Sequence, residues 1–205
     1  MCELWLLRHA QTVWNAEKRI QGQRDAPLSP GGVRQARLLA DSLRGVQFDS
    51  VYSSDTGRAV RTAQLVFGER EILLEPRLRE MSYGTLEGQT RAGLPGAELE
   101  AFRAYRQRPY EVKTPGGESW LELDARVFAW LAELPETGRV AAVTHGGTLR
   151  SALFYLTGAP KKREWNVLFG NTSVTRLRLG AQKILVSLND TAYLRGSGLE
   201  DDGES

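Results

Sequence analysis

The sequence predicts an α/β fold, in which a mainly parallel β-sheet is covered by helices on both faces. The first observation behind this prediction is that strand-like and helix-like patterns alternate along the chain of 205 residues. The second is that no internal repeat divides the chain, and neither does a linker rich in proline, glycine or serine. Since 205 residues lie near the upper end of one ordinary domain, we expect a single domain with a sizeable core.

Six short segments have the composition of β-strands, because they are rich in apolar or β-branched residues. In chain order they are ELWLLR (3–8), FDSVYSS (48–54), EILLE (71–75), RVAAVTH (139–145), SVTRLRL (173–179) and KILVSLN (183–189). The last two flank Gly180, and the first of them alternates in polarity. We therefore expect these two segments to form a hairpin late in the chain.

Four segments between the strands have helical patterns. They are LSPGGVRQARLLADSLRG (28–45), DTGRAVRTAQLVFG (55–68), ESWLELDARVFAWLAELP (118–135) and GTLRSALFYLTG (147–158). In the first segment, Ser29 is expected to cap the helix, with Pro30 at the first helical position and Gly45 beyond the end. Gly68 and Pro135 are expected to stop the second and third helices.

The least regular part of the chain runs from about residue 81 to 117, where glycines and prolines are frequent. We predict an irregular insertion there, placed over one end of the sheet. The single domain is expected to span residues 1–195. Residues 196–205, which contain the acidic run LEDDGES, are expected to form a disordered tail.

Composition limits the class of protein. With 41% hydrophobic and 25% charged residues, the chain is typical of a soluble globular protein. No apolar run approaches the roughly 18 residues of a membrane span, and the N-terminus lacks the features of a signal peptide. The single cysteine, Cys2, has no internal disulfide partner. We therefore expect a cytoplasmic protein without a membrane partner. A dense basic run interleaved with aromatic residues is missing, so a nucleic-acid partner is not expected.

The only two histidines of the chain each follow a predicted strand. His9 comes directly after the first strand, beside Arg8, and His145 ends the strand RVAAVTH. If these strands are parallel neighbours, both imidazoles meet in the crevice at the carboxyl edge of the sheet, where α/β proteins bind ligands. Arg58 and Arg61 lie near the start of the helix that follows another strand, and arginines at a helix N-terminus favour an anion.

Other interpretations of these residues stay open at this point. A single histidine after a strand is usually structural, and only the joint placement of both histidines with the arginines favours a site. His9, His145 and Glu80 are also possible zinc or iron ligands. However, the adjacent guanidinium of Arg8 disfavours a second cation. The chain has no G-x-S-x-G turn for a serine triad and no nucleotide-binding P-loop.

Four segments together resemble a known family. LLRHAQTVWN, SSDTGRAVRTA, LREMSYGTLEG and VTHGGTLR are similar, in order and spacing, to the motifs of the histidine phosphatase superfamily, the phosphoglycerate mutase-like proteins. The resemblance extends over roughly residues 3 to 190. It implies a three-layer α/β/α sandwich around a mostly parallel mixed sheet.

The resemblance also implies roles for individual residues. His9 corresponds to the nucleophile that becomes phosphohistidine, and Glu80 to the proton donor and acceptor. Around the phosphate the family's pattern places Arg8, Asn15, Arg58 and His145. Weaker correspondences make Gln21, Gly22, Tyr83 and Arg91 substrate-contacting residues.

The chemistry of phosphoryl transfer agrees with these implied roles. Arginines supply the positive charge that magnesium supplies in other enzymes, and His145 adds to it if it is protonated. Neither a metal nor another cofactor is therefore expected. The nucleophile His9 must be neutral, and cationic neighbours lower its pKa. Ala10 stands where the family usually has glycine, a change that negative φ would tolerate.

The sequence favours a phosphatase over a mutase. The region after LREMSYG is short and has scattered arginines, without the consecutive Arg-Arg pair of cofactor-dependent phosphoglycerate mutases. The run TPGGES resembles broad-specificity and α-ribazole phosphatases, which implies a small phosphomonoester as substrate and inorganic phosphate as product. A mutase, a phosphohistidine protein phosphatase and a non-catalytic phospho-ligand binding module remain alternatives. The oligomeric state is open, with a homodimer among the possibilities.

Overall fold

A computed structural model describes residues 1–158 and 167–200 of the chain. Six strands form one mixed sheet in the order β3-β2-β4-β1-β5-β6. The strands are β1 (Cys2–Arg8), β2 (Ser50–Ser53), β3 (Leu73–Leu74), β4 (Gly138–Thr144), β5 (Val174–Leu179) and β6 (Ile184–Asp190). Each lies within or beside a segment that the sequence predicts to be a strand.

The sheet is parallel on one side and antiparallel on the other. β4 pairs in parallel with both β1 and β2, and β2 pairs in parallel with β3. β5 runs antiparallel to β1 and turns back into β6, as expected of the late hairpin. The predicted mostly parallel mixed sheet is therefore confirmed, and the two histidine-bearing strands are parallel neighbours.

In the described part of the chain, the sheet is accompanied by six α-helices: α1 (Val13–Ala16), α2 (Pro30–Ser42), α3 (Gly57–Phe67), α4 (Gly96–Gln107), α5 (Trp120–Ala132) and α6 (Gly146–Thr157). In α2 the Ser29 hydroxyl accepts from the Gly32 amide at 3.0 Å, which is the predicted N-cap. Gly45 and Gly68 have positive φ angles of 84° and 63°, so these predicted stops are suited to glycine.

The side chains of β1 alternate between two cores. Leu4 and Leu6 join the larger core, which also contains residues of α5 and α6. Leu7 points to the other face, where Leu39 of α2 and Ala63 of α3 cover it. The period of two along a strand thus gives helices on both faces a buried apolar surface. The result is the expected three-layer α/β/α sandwich.

The segment 81–117 departs from the irregular insertion that its glycines and prolines suggested. It contains the twelve-residue helix α4 as well as two short 3₁₀ helices. Pro95 caps α4 and Pro109 lies beyond its end, so the punctuating residues flank the helix without interrupting it. Tyr105 on one face of α4 is buried against the larger core.

Part of the expected acidic tail has a defined position. The side-chain amide of Gln35 donates to the Leu199 carbonyl at 2.8 Å, so Leu199 lies beside α2. The prediction for residues 201–205 falls outside the described residues. Across 1–158 and 167–200, no helix combines the length and apolar character needed to cross a membrane.

Candidate active site

The two histidines meet at the carboxyl edge of the sheet. Arg8 and Thr144 are register partners at the ends of β1 and β4. The next amide, that of His9, donates to the Thr144 carbonyl at 2.8 Å. This register places the centroids of the His9 and His145 rings 5.1 Å apart. The convergence that the sequence predicted from two adjacent parallel strands is confirmed.

A hydrogen bond fixes the tautomer of His9. Its Nδ1 lies 2.8 Å from the Ala10 carbonyl, and a carbonyl only accepts, so Nδ1–H is the donor. Nε2 therefore keeps its lone pair. Burial, and then the positive charges of Arg58 and Arg8, hold the pKa of His9 well below its usual value. His9 is thus a neutral imidazole whose Nε2 carries no proton.

The backbone around His9 is braced by a buried loop that leads into β5. The Asn171 side-chain amide donates to the His9 carbonyl at 2.9 Å, and the Thr172 amide approaches the same oxygen at 3.3 Å. Thr172 has a φ of 60°, which is strained for a β-branched residue. The Arg8 guanidinium donates to the Phe169 carbonyl of this loop. The loop therefore fixes both residues at the end of β1.

Arg58 is buried in α3 and links the crevice to the loop before α2. Its guanidinium donates to the Gly22 carbonyl at 2.6 Å and to the Arg24 carbonyl at 2.8 Å. It also pairs with Asp25 at 3.2 Å. These partners hold the charge in place before any ligand arrives.

His145 lies behind His9, and it is not among the described residues that line the adjacent cavity. Its Nδ1 accepts from Arg58 at 3.2 Å, because a guanidinium only donates. Nε2–H then donates to the Ser54 hydroxyl at 2.9 Å. Burial and the charge of Arg58 hold the pKa of His145 well below its usual value. The ring is therefore neutral, in contrast to the protonated form considered from the sequence.

Glu80 reaches the N-terminus of α6. Both of its carboxylate oxygens accept from the Gly147 amide at 3.1 Å, and Oε1 also accepts from the Met81 amide at 2.8 Å. Its backbone carbonyl accepts from Arg126 at 2.9 Å and from Gln23 at 3.2 Å. Glu80 is thus held at both its backbone and its side chain, at a helix terminus that suits a carboxylate.

A cavity of about 550 Å³ opens in front of His9. Of the residues predicted for the site, those that line it are Arg8, His9, Asn15, Gln21, Gly22, Arg58, Glu80, Tyr83 and Arg91. The Oδ1 atom of Asn15 accepts twice from Thr12, each time at 3.0 Å, so the amide nitrogen of Asn15 is the group left to donate. The cavity thus brings together an imidazole with an unprotonated nitrogen, a carboxyl group and buried arginines.

Gly22 has a structural reason to be glycine. Its φ is 56°, and a Cβ there would overlap the carboxylate of Glu87. That carboxylate accepts the amides of Gln23 and Arg24 at 3.0 Å and of Tyr83 at 2.9 Å. The buried Glu87 therefore ties the loop that holds Arg58 to the segment that follows Glu80.

Five residues that the sequence did not single out support the site: Ser54, Thr62, Asp25, Asn171 and Arg126. Thr62 accepts from the Ala10 amide at 3.0 Å. Ser54 and Thr62 belong to the motif SSDTGRAVRTA, so their proximity to Arg58 was a usable signal. The other three are distant in sequence from the residues they contact, and no local pattern marks them.

The metal interpretation gains no support from the residue geometry. Within the described parts of the chain, no group of three or more His, Cys, Asp and Glu side chains is arranged to hold a metal ion. His9, His145 and Glu80, which the sequence offered as ligands, contact amides, carbonyls, a hydroxyl and Arg58.

Comparison with known proteins agrees with the fold and the site. The chain matches the model of the histidine phosphatase superfamily (branch 1) over residues 4–191. It is 37% identical over 182 residues to the probable phosphoglycerate mutase GpmB of Enterobacter sp. (strain 638), covering 86% of this chain and 85% of that protein.

Solved structures give the same picture. Bacillus stearothermophilus YhfR aligns with a TM-score of 0.88 at 29% identity, over 95% of this chain and 100% of that one. The α-ribazole phosphatase of Shigella flexneri aligns at 0.84 and 28% identity, over 92% and 96% of the two chains. A phosphoserine phosphatase of Entamoeba histolytica, in complex with 3-phosphoglyceric acid, aligns at 0.81 and 30% identity, over 95% and 100%.

Proposed function

The chain belongs to the histidine phosphatase superfamily (branch 1), and from that premise we propose that it is a metal-independent phosphatase of small phosphomonoesters. In this proposal the reaction proceeds through a phosphohistidine on His9. The observation that carries it is the Nδ1–Ala10 hydrogen bond, which leaves Nε2 of a neutral imidazole free beside two buried arginines. A neutral, oriented nucleophile in a positive cavity is what attack on a phosphate ester requires.

The first half-reaction forms the phosphoenzyme. Arg8, Arg58 and the Asn15 amide bind the phosphate oxygens and neutralise the charge that spreads over them in the transition state. Nε2 of His9 then forms a bond to phosphorus while the bond to the ester oxygen breaks. Glu80, in its protonated form, donates its proton to the departing oxygen, so the leaving group departs as a neutral alcohol.

The second half-reaction releases phosphate. A water molecule attacks phosphorus while the carboxylate of Glu80 takes one of its protons. The P–N bond breaks, and its electron pair returns to Nε2 of His9. Inorganic phosphate leaves, and both His9 and Glu80 are again in their starting forms.

A phosphoglycerate mutase is the second candidate, because the GpmB relative carries that name at 37% identity. A mutase must keep water from the phosphohistidine and return the phosphoryl group to a second hydroxyl. The wall formed by the segment 81–117 has scattered arginines and no Arg-Arg pair, which supports hydrolysis. The same wall, with Phe102 and Tyr105 of α4 lining the cavity, supports a small ester over a protein side chain.

Parallel turnover assays distinguish the candidates. A panel of phosphomonoesters, including 3-phosphoglycerate with and without 2,3-bisphosphoglycerate, is assayed without added metal and with a chelator. The phosphatase proposal predicts phosphate release from several esters, undiminished by the chelator, without formation of 2-phosphoglycerate. Bisphosphate-dependent isomerisation would establish a mutase instead, and loss of turnover in chelator would restore the metal interpretation.

A further inference from the structure

The cavity is larger and more aromatic than a phosphate with a three-carbon leaving group requires. Its volume of about 550 Å³ falls in the range of roughly 300–1,000 Å³ that accommodates drug-sized ligands. The described residues of its wall include six aromatic side chains, namely Tyr83, Phe102, Tyr105, Tyr110, Trp120 and Phe154. Such a wall favours a flat apolar group, because ring stacking and burial both stabilise it.

Helix α6 leads from the catalytic end of the cavity toward this aromatic wall. Gly147, Arg150 and Phe154 are separated by three and four residues and therefore share one helix face. Gly147 contacts Glu80, whereas Arg150 and Phe154 line the cavity. At a rise of about 1.5 Å per residue, Arg150 lies ~4.5 Å and Phe154 ~10.5 Å farther along the axis. A leaving group that departs near Glu80 thus extends past Arg150.

Arg150 is positioned as a donor on this face. Its guanidinium carbon lies 5.5 Å from the centroid of the Trp120 ring, and one terminal nitrogen donates to the Val167 carbonyl at 3.0 Å. Its Nε is buried without a hydrogen-bond partner among the described residues. No described carboxylate forms an ion pair with it. The contact with the Trp120 ring and the hydrogen bond to Val167 hold the guanidinium in place, and a guanidinium suits a carboxylate.

The electrostatic surroundings of Arg150 place it among the tyrosines of the wall. Burial raises the pKa of Tyr83, Tyr105 and Tyr110, in the last case to about 12. The positive charge of Arg150 opposes that rise in pKa for all three hydroxyls. The charge of Arg150 therefore acts on the hydroxyl ends of the aromatic wall, whereas its direct ring contact is with Trp120.

Basic side chains outnumber acidic ones among the described residues that line the cavity. The described lining residues include the basic side chains Arg8, Lys18, Arg19, Arg58, Arg91, Arg106 and Arg150, but only Glu17 and Glu80 as acidic ones. Arg19 pairs with Glu17, and Arg58 pairs with Asp25 outside the cavity. Of these basic residues, Arg150 lies beyond the nucleophile on the aromatic wall and forms no ion pair with a described carboxylate.

We propose that the leaving group of the physiological substrate is an aryl group with a carboxylate, its ring held by the aromatic wall and its carboxylate by Arg150. This inference rests on the proposed phosphatase function, because the phosphate end must sit at His9. It makes Arg150 a specificity-determining residue that contacts the part of the substrate beyond the reacting phosphate.

A matched set of esters tests the proposal on the unmodified protein. Phenyl, 4-carbamoylphenyl and 4-carboxyphenyl phosphate share one ring, and the carbamoyl group has nearly the shape of the carboxylate without its charge. The corresponding naphthyl esters place the carboxylate farther from the phosphate, and 3-phosphoglycerate supplies an aliphatic carboxylate. We expect kcat/KM for the carboxyaryl ester to exceed that for the carbamoyl ester by about tenfold or more. Equal kcat/KM for the carboxylate and carbamoyl esters, in the phenyl and in the naphthyl series, would overturn the proposal. A preference for 3-phosphoglycerate over every aryl carboxylate would do so as well.

Variants test whether Arg150 causes the preference for the carboxylate. Arg150→Met keeps an apolar stem on Trp120 and should remove the preference for the carboxylate, so kcat/KM should fall by about tenfold more for the carboxyaryl ester than for phenyl phosphate. Arg103→Met removes an equal charge from α4 at an exposed position outside the cavity and should keep the preference. Arg150→Lys keeps the charge without the fork and should restore part of the preference. An equal loss for all esters in Arg150→Met would show a structural role only.

Binding separates this inference from the phosphatase proposal. Calorimetric titration of the same esters into a His9→Ala variant measures recognition without turnover. Tighter binding of the carboxyaryl ester, dependent on Arg150, supports the inference even if the wild-type protein hydrolyses none of them. Hydrolysis of phenyl phosphate by the wild type, without any preference for the carboxylate in rate or binding, would leave the phosphatase standing and refute the inference.

Discussion

The amide of Gly147 lies 3.1 Å from both carboxylate oxygens of Glu80. This bifurcated contact joins the N-terminus of the helix after β4 to the residue proposed to move the proton. It also explains the glycine, because a Cβ at position 147 would overlap Oε1 of Glu80. The second glycine of VTHGG is thus a place of close approach, and it controls where the carboxyl group sits.

Gly147→Ala is expected to displace Glu80 and to reduce kcat/KM by about tenfold or more, most strongly for esters with poor leaving groups. Gly146→Ala is the matched control, because its Cβ would lie 3.9 Å from the nearest atoms, those of Arg8 and Glu80. The control should keep wild-type rates within a few-fold, since alanine also favours the helix. Steady-state kinetics on both variants measures the difference. Equal kcat/KM values for Gly147→Ala and Gly146→Ala would contradict the displacement of Glu80.

Glu80→Gln keeps the shape of the side chain and its acceptor oxygen for Gly147 but removes the acid. We expect kcat/KM to fall by about 10²–10⁴-fold for alkyl esters. The loss for 4-nitrophenyl phosphate should be much smaller, because a good leaving group departs without a proton. A plot of log kcat/KM against the pKa of the leaving alcohol measures the difference. A uniform loss across the series would remove Glu80 from the role of acid.

His9→Ala should abolish formation of the phosphoenzyme and lower kcat by on the order of 10⁴-fold or more. Labelled substrate followed by an alkaline quench detects the intermediate, since phosphohistidine is stable in base and labile in acid. Circular dichroism controls for folding. Wild-type turnover, or retained labelling of the variant, would exclude His9 as the nucleophile.

Stability should depend on pH through the two buried histidines. Their pKa values are lowered in the folded protein by burial and by Arg58, and return to about 6.5 on unfolding. Between the lowered values and about pH 6.5 the unfolded chain binds more protons, so the free energy of unfolding falls as the pH falls. Each histidine contributes a slope of ~1.4 kcal/mol per pH unit in that window and none above it.

Urea unfolding at several pH values between about 5 and 8 measures this slope. The comparison is with His145→Gln, which should lose about half of the histidine contribution, while the carboxylates titrate alike in both proteins. Identical slopes in the wild type and the variant would show that His145 is not held neutral in the folded state.

The convergence of His9 and His145 could be predicted from the sequence because it depends on strand order alone. Each histidine sits at the end of an apolar strand, and parallel neighbouring strands bring such ends together. The helix starts were also predictable where a local residue sets them, as Ser29 does for α2. These features depend on short stretches of the chain.

Other features could not be predicted, because they depend on contacts between distant segments. Helix α4 was missed since its flanking glycines and prolines dominate the local pattern. The bracing of His9 by Asn171 joins residues 162 positions apart. The neutrality of His145 follows from burial, and the sequence does not reveal how deeply a residue is buried.

The buried guanidiniums of Arg8 and Arg58 couple the binding of an anion to the stability of the fold. Two permanent cations beside two neutral rings repel each other in a medium of low dielectric constant, and an oxyanion between them relieves that repulsion. Under the proposed function, inorganic phosphate binds between these arginines in the native state and has no such site on the unfolded chain. By mass action, phosphate at a hundred times its dissociation constant adds about 2.7 kcal/mol to the free energy of unfolding. We therefore expect the product of the proposed reaction to stabilise the fold as well, and the melting temperature to rise with the phosphate concentration.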